Sequence, residues 1–453
     1  MKVYLYICIL CLGLFSCNKK EFLDERPKSD LFVPTTLEDF QALLDNDEAM
    51  SLTPVMGDLS ADNYYMLSSS WPILSTKEKN SYTWAEEIFN GEGNVSDWNA
   101  PYEQVLYANV VLDGLENVTI TPDNRQQWNS IKGSALFIRA YAFYNLAQVF
   151  ALPYNAATAN ETLGIPLKLS PNVDEKIQRS TLEKTYTQIL DDLLEAKTLL
   201  ADSVPSRRNR PNKPAAFAQL ARVYLSMRQY SNAEVNADSC LQLYKALMNY
   251  SNRDTNTRFP FDRTNVEVMY QSRFVETNVL KGGAGTGLMD TNLYKTYAAN
   301  DMRRMLFFVI NPGRINFKGS YTGLIHAFTG LATDETYLIR AECRAQAGNV
   351  SGALDDLNTL MLNRIKTGTF VPFTASTKEQ ALNAILIERR KELPCRGLRW
   401  TDIRRLNLEG ANIKPVRTIN NQSYELPVNS PLYALPIPPD AEALGNYQQN
   451  IRR

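Results

Sequence analysis

A single histidine, His326, stands among the 453 residues. That scarcity excludes multi-histidine zinc sites, and a Ser-His-Asp or Cys-His pair would have to use this one residue. His326 lies in the stretch Tyr321–Phe328 with no nucleophile motif nearby, so it reads as an incidental loop or core histidine. Cysteine is also scarce, six in all. Cys8 and Cys11 fall in an apolar leader, while Cys240, Cys343 and Cys395 form an odd, scattered set that makes no disulfide framework. Each of these three sits in a helix-like context and is expected to be a small buried apolar residue. An excess of one charge is missing too: 48 basic against 49 acidic residues leave a net charge of −1, which gives no electrostatic case for nucleic acid. Long apolar runs are absent. A spanning helix needs roughly 20 apolar residues, whereas Val3–Phe15 has thirteen and Met305–Ile310 is among the longest beyond it.

The short run from Val3 follows one basic residue, Lys2, and gives way to the small Ser16. A charged start, a short apolar middle and a small residue before a cut make the layout of a secretory signal over residues 1–16. Leu14-Phe15-Ser16-Cys17 resembles a bacterial lipobox, which implies acylation of the Cys17 thiol; Phe15 is bulkier than the usual occupant. The alternative is a plain signal followed by an incidental cysteine. Acyl chains contribute ~0.8 kcal/mol per buried methylene, so two or three would hold a protein on a membrane. Residues 17–30, polar, charged and broken by Pro27, read as lipidated cysteine and flexible tether. Residues 31–453 are expected to form a single domain.

From Thr36 onward helical periodicity dominates. Thr36-Leu37-Glu38-Asp39 offers a helix start with acidic residues in its first turn, and further helices are expected over Tyr102–Glu116, Trp128–Phe150 and from Arg179 through Leu200. Two later segments repeat each other. Aligning Ala221 with Ala341 places the next small residue twelve positions on in both, at Ala233 and Ala353. Each unit breaks between these alanines, at Arg228-Gln229 and at Gly348-Asn349, and Ala237 faces Leu357. Small residues at these places let two antiparallel helices approach closely, as in a tetratricopeptide hairpin. The second unit is looser, with Arg340 and Arg344 at two usual core positions. The reading is therefore a mainly helical, all-α chain with tetratricopeptide-like units at about 128–200, 212–245 and 334–363 and a C-terminal region 376–453.

Large irregular stretches interrupt the helices at 58–100, 151–178, 249–330 and 410–453, and insertions of this size usually carry function. Lys281–Gly287 is glycine-rich but lacks a Walker Gly-Lys-Ser/Thr ending and the GxGxxG spacing, so it reads as a flexible loop and not a nucleotide site. Asp191-Asp192 and Asp355-Asp356 are paired carboxylates on amphipathic helices; they read as solvated faces and not as a hydrolytic pair. No calcium motif is evident. Glu388–Arg405 holds seven basic and three acidic residues, net +4. It reads as a structural helix whose arginines pair with carboxylates and carbonyls, and Arg139 and Arg222 are expected to behave alike.

Five segments in order resemble the SusD/RagB family of Bacteroidetes surface lipoproteins. They are Cys17–Pro27, the Trp98…Tyr102…Ala108-Asn109 segment, Ala135–Tyr141 (ALFIRAY), Glu388–Leu393 (ERRKEL) with Arg396–Arg405 (RGLRWTDIRR), and Pro436-Ile437-Pro438 with Gln449-Asn450. Pro394-Cys395-Arg396 departs from the pattern, where an apolar pair precedes the glycine. The resemblance implies an α-helical body with tetratricopeptide-like repeats and a role in nutrient uptake. It implies a lid on a SusC-like TonB-dependent outer-membrane barrel, a lipid anchor facing the cell exterior, and capture of oligosaccharides, or of peptides in the RagB branch. It implies a binding protein without cofactor, metal or catalytic residues. A tetratricopeptide scaffold binding only protein partners is a further alternative. Sugar capture needs flat aromatic faces and groups that bond hydroxyls. The first irregular stretch offers Asn63, Tyr64, Tyr65, Trp71, Tyr82 and Trp84, and the third offers Tyr294 and Tyr297. These eight are the candidate ligand contacts, some of them expected only to anchor their loops.

Overall fold

The computed structural model describes residues 34–311 and 313–452; the expected signal, Cys17 and tether lie outside them. Thr36 opens the first helix, α1 (Leu37–Leu44), with a reciprocal capping box: its hydroxyl accepts from the Asp39 amide at 3.2 Å and its own amide donates to the Asp39 carboxylate at 3.0 Å. It is the first of ten helices of eight residues or more among the described residues. After α1 come α2 (Ser96–Leu115), α3 (Arg125–Phe150), α4 (Leu182–Leu199), α5 (Lys213–Ser226) and α6 (Tyr230–Leu243). The remainder are α7 (Thr333–Gln346), α8 (Val350–Leu362), α9 (Lys378–Glu392) and α10 (Arg399–Asn407). Thr181 caps α4, and Asn212 caps α5 with Pro214 in its first turn. Strands among the described residues are short and form six two-stranded pairs.

Each helix packs on its neighbour in sequence from α2 through α8, and α9 packs on α7. The α5–α6 and α7–α8 hairpins are the repeated units. Ala221, Ala233, Ala237, Ala341, Ala353 and Leu357 are all fully buried in them, so the small residues do let the helices close up. Both hairpin turns need a left-handed residue at the same repeat position, met by Gly348 (φ 82°) in one and Arg228 (φ 60°) in the other. Arg340 and Arg344 do not loosen the second unit. Arg340 forks onto Asp356 at 2.9 and 2.6 Å and reaches Asp238 at 2.7 Å, while Arg344 meets the same Asp356 at 2.9 Å, so charge pairs join α6, α7 and α8.

Two carboxylates read as solvated are buried. Asp192 takes a fork from Arg139 at 2.8 and 2.7 Å, and Asp356 serves the two arginines above; only Asp191 and Asp355 stay exposed. The stretch Lys281–Gly287, expected to be flexible, is hydrogen-bonded throughout: Gly282 donates to the Ile325 carbonyl, Gly283 to that of Phe317, and the Asn316 amide bonds the carbonyls of Gly285 and Gly287. A Cβ at Gly285 would stand 2.1 Å from the Val279 oxygen, so close backbone approach explains the glycine. All three described cysteines are buried and free.

Two main apolar cores result. One lies around α3, whose residues from Ala135 to Phe150 are almost all buried, which accounts for its many alanines and aromatics. Trp98 and Phe150 meet there edge to face at 5.0 Å. The other is built by the irregular stretches themselves: Tyr250, Phe261, Phe307, Phe308, Phe317, Tyr321 and Phe328 interlock with Tyr64 and Tyr82 from the first of them.

Candidate functional site

That second core decides which loop aromatics remain available. Six of the eight candidate contacts point inward. Tyr82 is 0% and Trp84 4% exposed; the Tyr82 hydroxyl accepts from the Met66 amide at 3.0 Å and the Trp84 indole donates to the Ser60 carbonyl at 2.9 Å. Tyr64 is buried and donates to the Leu59 carbonyl at 2.6 Å. Tyr297 is buried and donates to the Lys391 carbonyl at 2.7 Å, and the Tyr294 hydroxyl accepts from Arg304 at 2.9 Å. Asn63 is buried, its side-chain oxygen accepting from Arg390 at 3.0 Å. These six are therefore frame and not ligand surface. Their phenols, indole and amide are already bonded within the protein, and their rings are covered.

The frame is organised by an arginine that the sequence did not single out. Arg417, on the strand Val416–Ile419, is buried with its guanidinium carbon 4.0 Å from the ring centre of Tyr82, 4.7 Å from that of Trp84 and 5.0 Å from that of Tyr64. It donates to the carbonyls of Leu59, Ala61 and Tyr82. Cation–π contacts and three carbonyls thus replace a counter-ion and fix the three rings about one point. Its only sequence signal was a lone basic residue in a short alternating run.

Tyr65 and Trp71 are the two candidates that stay partly open. Trp71 rests edge-on against Tyr82 with ring centres 5.9 Å apart. It sits in the 3-10 turn Ser68–Ile73, whose Pro72 and Ile73 are exposed, Ile73 by 67%. Tyr65 pairs in register with Leu288. Tyr82 ends the short helix Thr76–Tyr82, which Ser75 and Glu78 open with a second capping box. Glu78 also accepts from the Thr277 hydroxyl at 2.7 Å and the Asn278 amide at 3.1 Å, bringing the third irregular stretch to the first. One residue back, exposed Glu276 meets His326 at 3.3 Å and Lys281 at 3.8 Å. Burial pulls the His326 imidazole below its ordinary pKa against the opposing pull of Glu276. His326 is thus a half-buried partner of a surface carboxylate.

The stretch carrying Tyr65 and Trp71 is clamped from the far end of the chain. Arg399 forks onto Asp62 at 2.6 and 2.9 Å, Arg390 holds Asn63, and the Gly397 amide donates to Asp58 at 3.4 Å. The rest of the Glu388–Arg405 cluster is equally structural: Arg405 grips Glu342 and Asp402, Arg389 meets Asp402 at 2.9 Å, and Arg396 meets Asp334 at 3.1 Å. Arg222 likewise forks onto Glu335. Among the described residues no group of three or more histidines, cysteines or acids could hold a metal ion. None of the described helices is long and apolar enough to cross a membrane.

A body of helical hairpins, with the partly open Tyr65 and Trp71 carried on clamped loops, has the architecture of the tetratricopeptide-like class. Comparison with known proteins names the family. Residues 21–225 match the SusD-like family model described as starch-binding associating with outer membrane, and residues 333–449 match that of the SusD family. The chain belongs to the SusD/RagB family. SusD-like protein P2 of Formosa agariphila is 28% identical over 163 residues, which is 36% of this chain and only 29% of that relative's length. Among solved structures, a SusD superfamily protein of Bacteroides thetaiotaomicron superposes with a TM-score of 0.74 at 22% identity, covering 92% of this chain and 100% of that one. A SusD-like carbohydrate binding protein of Bacteroides vulgatus gives 0.71 at 19% identity, covering 91% and 97%. At these identities the likeness is one of fold.

Proposed function

We propose that this chain is an outer-membrane binding protein, anchored through Cys17, that captures oligosaccharide on the Trp71–Tyr65 patch and hands it to a SusC-like TonB-dependent barrel. The observation that carries the reading is the partly open Trp71 indole, held against Tyr82 on a clamped loop. A flat apolar face covers the CH side of a sugar ring while neighbouring hydroxyls and amides bond its edge. Family membership supports the ligand class and the membrane association. The reading is one of binding and release, and family membership supports it.

The test is a binding screen of the purified protein against oligosaccharides and peptides by calorimetry. Trp71→Ala is expected to weaken a bound glycan at least tenfold, about 1.4 kcal/mol, while Tyr294→Phe, which alters a covered ring, leaves it unchanged. A glycan whose affinity ignores Trp71→Ala would remove the patch from the account. Binding of peptides and of no glycan would transfer the site to the peptide branch of the family. Co-purification with a barrel tests the partnership.

A further inference from the structure

Six of the seven basic residues in Glu388–Arg405 meet a carboxylate within salt-bridge distance. Arg404 is the exception among the described residues. It is 2% exposed; its two terminal nitrogens donate to the carbonyls of Gln148 and Ala151, and its Nε has no hydrogen-bond partner. The ionisable groups acting on it are the phenols of Tyr186, Tyr144 and Tyr433, and burial pulls its pKa down to about 10. Gln148 and Ala151 lie at the C-terminal end of α3, so the helix dipole offsets part of the charge, roughly half a unit. The remainder is a buried cation without a counter-ion, an expensive arrangement unless something completes it.

Arg404 also lines a cavity of about 140 Å³ between the loop after α3, the end of α10 and the 3-10 turn Pro431–Tyr433. No acid lines it. Two of its hydroxyls already accept a bond and keep a proton to give: Ser430 accepts from the Leu432 amide at 3.2 Å, and Tyr433 accepts from Asn407 at 3.2 Å. Asn155, Thr158, Thr162 and Asn429 form its other polar lining. A cavity of this size has room for several waters or for one small ion with part of its shell.

We infer that this cavity is a binding site for a small oxyanion, a carboxylate, phosphate or sulfate, with Arg404 as its counter-charge and Ser430 and Tyr433 as hydroxyl donors. Delocalised oxyanions suit an arginine flanked by hydroxyls. The site shares no residue with the Trp71 patch and stands whether or not that patch binds sugar.

Equilibrium dialysis of the purified protein against radiolabelled sulfate, phosphate, acetate and glucuronate, in chloride at matched ionic strength, tests it. One equivalent of a saturable oxyanion per chain is expected. Tighter binding of glucuronate than of the inorganic ions assigns the acid group of a sugar, and the reverse order assigns a free ion. Thr158→Trp, at an exposed rim position, is expected to plug the cavity and lower affinity at least tenfold with the unfolding transition of the unliganded protein unchanged. Arg404→Gln is expected to abolish binding; should it fail to fold, Thr158→Trp still decides. Absence of saturable binding for all four anions, or full retention of it in Thr158→Trp, overturns the inference.

Discussion

Asp58 and Asp62 stand four residues apart and titrate in opposite directions. Burial alone would raise both. At Asp62 the adjoining Arg399 and Arg390 outweigh it and hold the carboxyl at about 2. Asp58 has a single amide, that of Gly397, and the nearby Asp62 charge works against its ionisation, so burial pushes it up to about 7. A carboxyl whose folded pKa exceeds its unfolded value of 3.8 binds its proton more tightly in the native state. Its contribution to stability is therefore complete below about pH 4 and is lost as pH rises through 7. Asp58→Asn, neutral at every pH, is expected to flatten this dependence: it should equal the parent near pH 3.5 and exceed it by a few kcal/mol at pH 8. Urea unfolding at the two pH values checks this, and parallel stability curves for the two proteins would show that Asp58 is ionised in the fold. No sequence pattern distinguishes these two aspartates, since Arg399 and Gly397 reach them from more than 330 positions away. The same distance problem hid the fate of Tyr64, Tyr82 and Trp84. Aromatics in a polar stretch look available until Arg417 and the strand Leu288–Met289 close over them.

Elements whose contacts are local were legible. Capping residues, alanine spacing and turn positions of the α5–α6 and α7–α8 hairpins all lie within one short window, and the structure places Ala221 and Ala341, or Ala233 and Ala353, in equivalent buried sites. The two turns differ in one respect that matters. Gly348 takes φ 82° with nothing within 4 Å of the place a Cβ would occupy, so a side chain there meets strain and no clash. Gly348→Ala is accordingly expected to cost about 1 kcal/mol through backbone strain alone, read as a lower denaturation midpoint with an unchanged slope. Arg228 already bears that strain at the equivalent position, and its guanidinium donates to the Tyr154 carbonyl at 2.8 Å in partial return. A change in Gly348→Ala well above 2 kcal/mol would mean that the turn carries contacts beyond its dihedral angle. What periodicity could not show was the second core, because its short strands pair across gaps such as Tyr65 with Leu288.

Across the whole molecule, three arginines from the C-terminal quarter reach back to the segment that bears the candidate site. Arg399 forks onto Asp62, Arg417 donates to the Leu59 carbonyl at 2.9 Å, and Arg452 donates to the Glu86 carbonyl at 2.9 Å. Each closes a loop of more than 330 residues, so the entropy of closing it is large and the contacts form only when the helical body between them has folded. The family motif around Arg399 is thus physically a clamp on the stretch Asp58–Trp84, and the shape of the Trp71 patch depends on it. Removing Arg399 takes away the fork and leaves the half-buried Asp62 carboxylate with Arg390 alone, at 3.4 Å. Arg399→Ala is expected to cost about 3 kcal/mol and to weaken ligand binding at Trp71, although Arg399 is no part of that patch. Adding Asp62→Asn to Arg399→Ala removes this weakly paired charge and should restore more than half of the stability, because a neutral amide costs less there than a carboxylate that has lost its fork. Denaturant unfolding and ligand titration of the single and double variants separate the outcomes. A double variant as unstable as the single one would show that the fork itself, and not the relief of a half-buried charge, holds the loop in place.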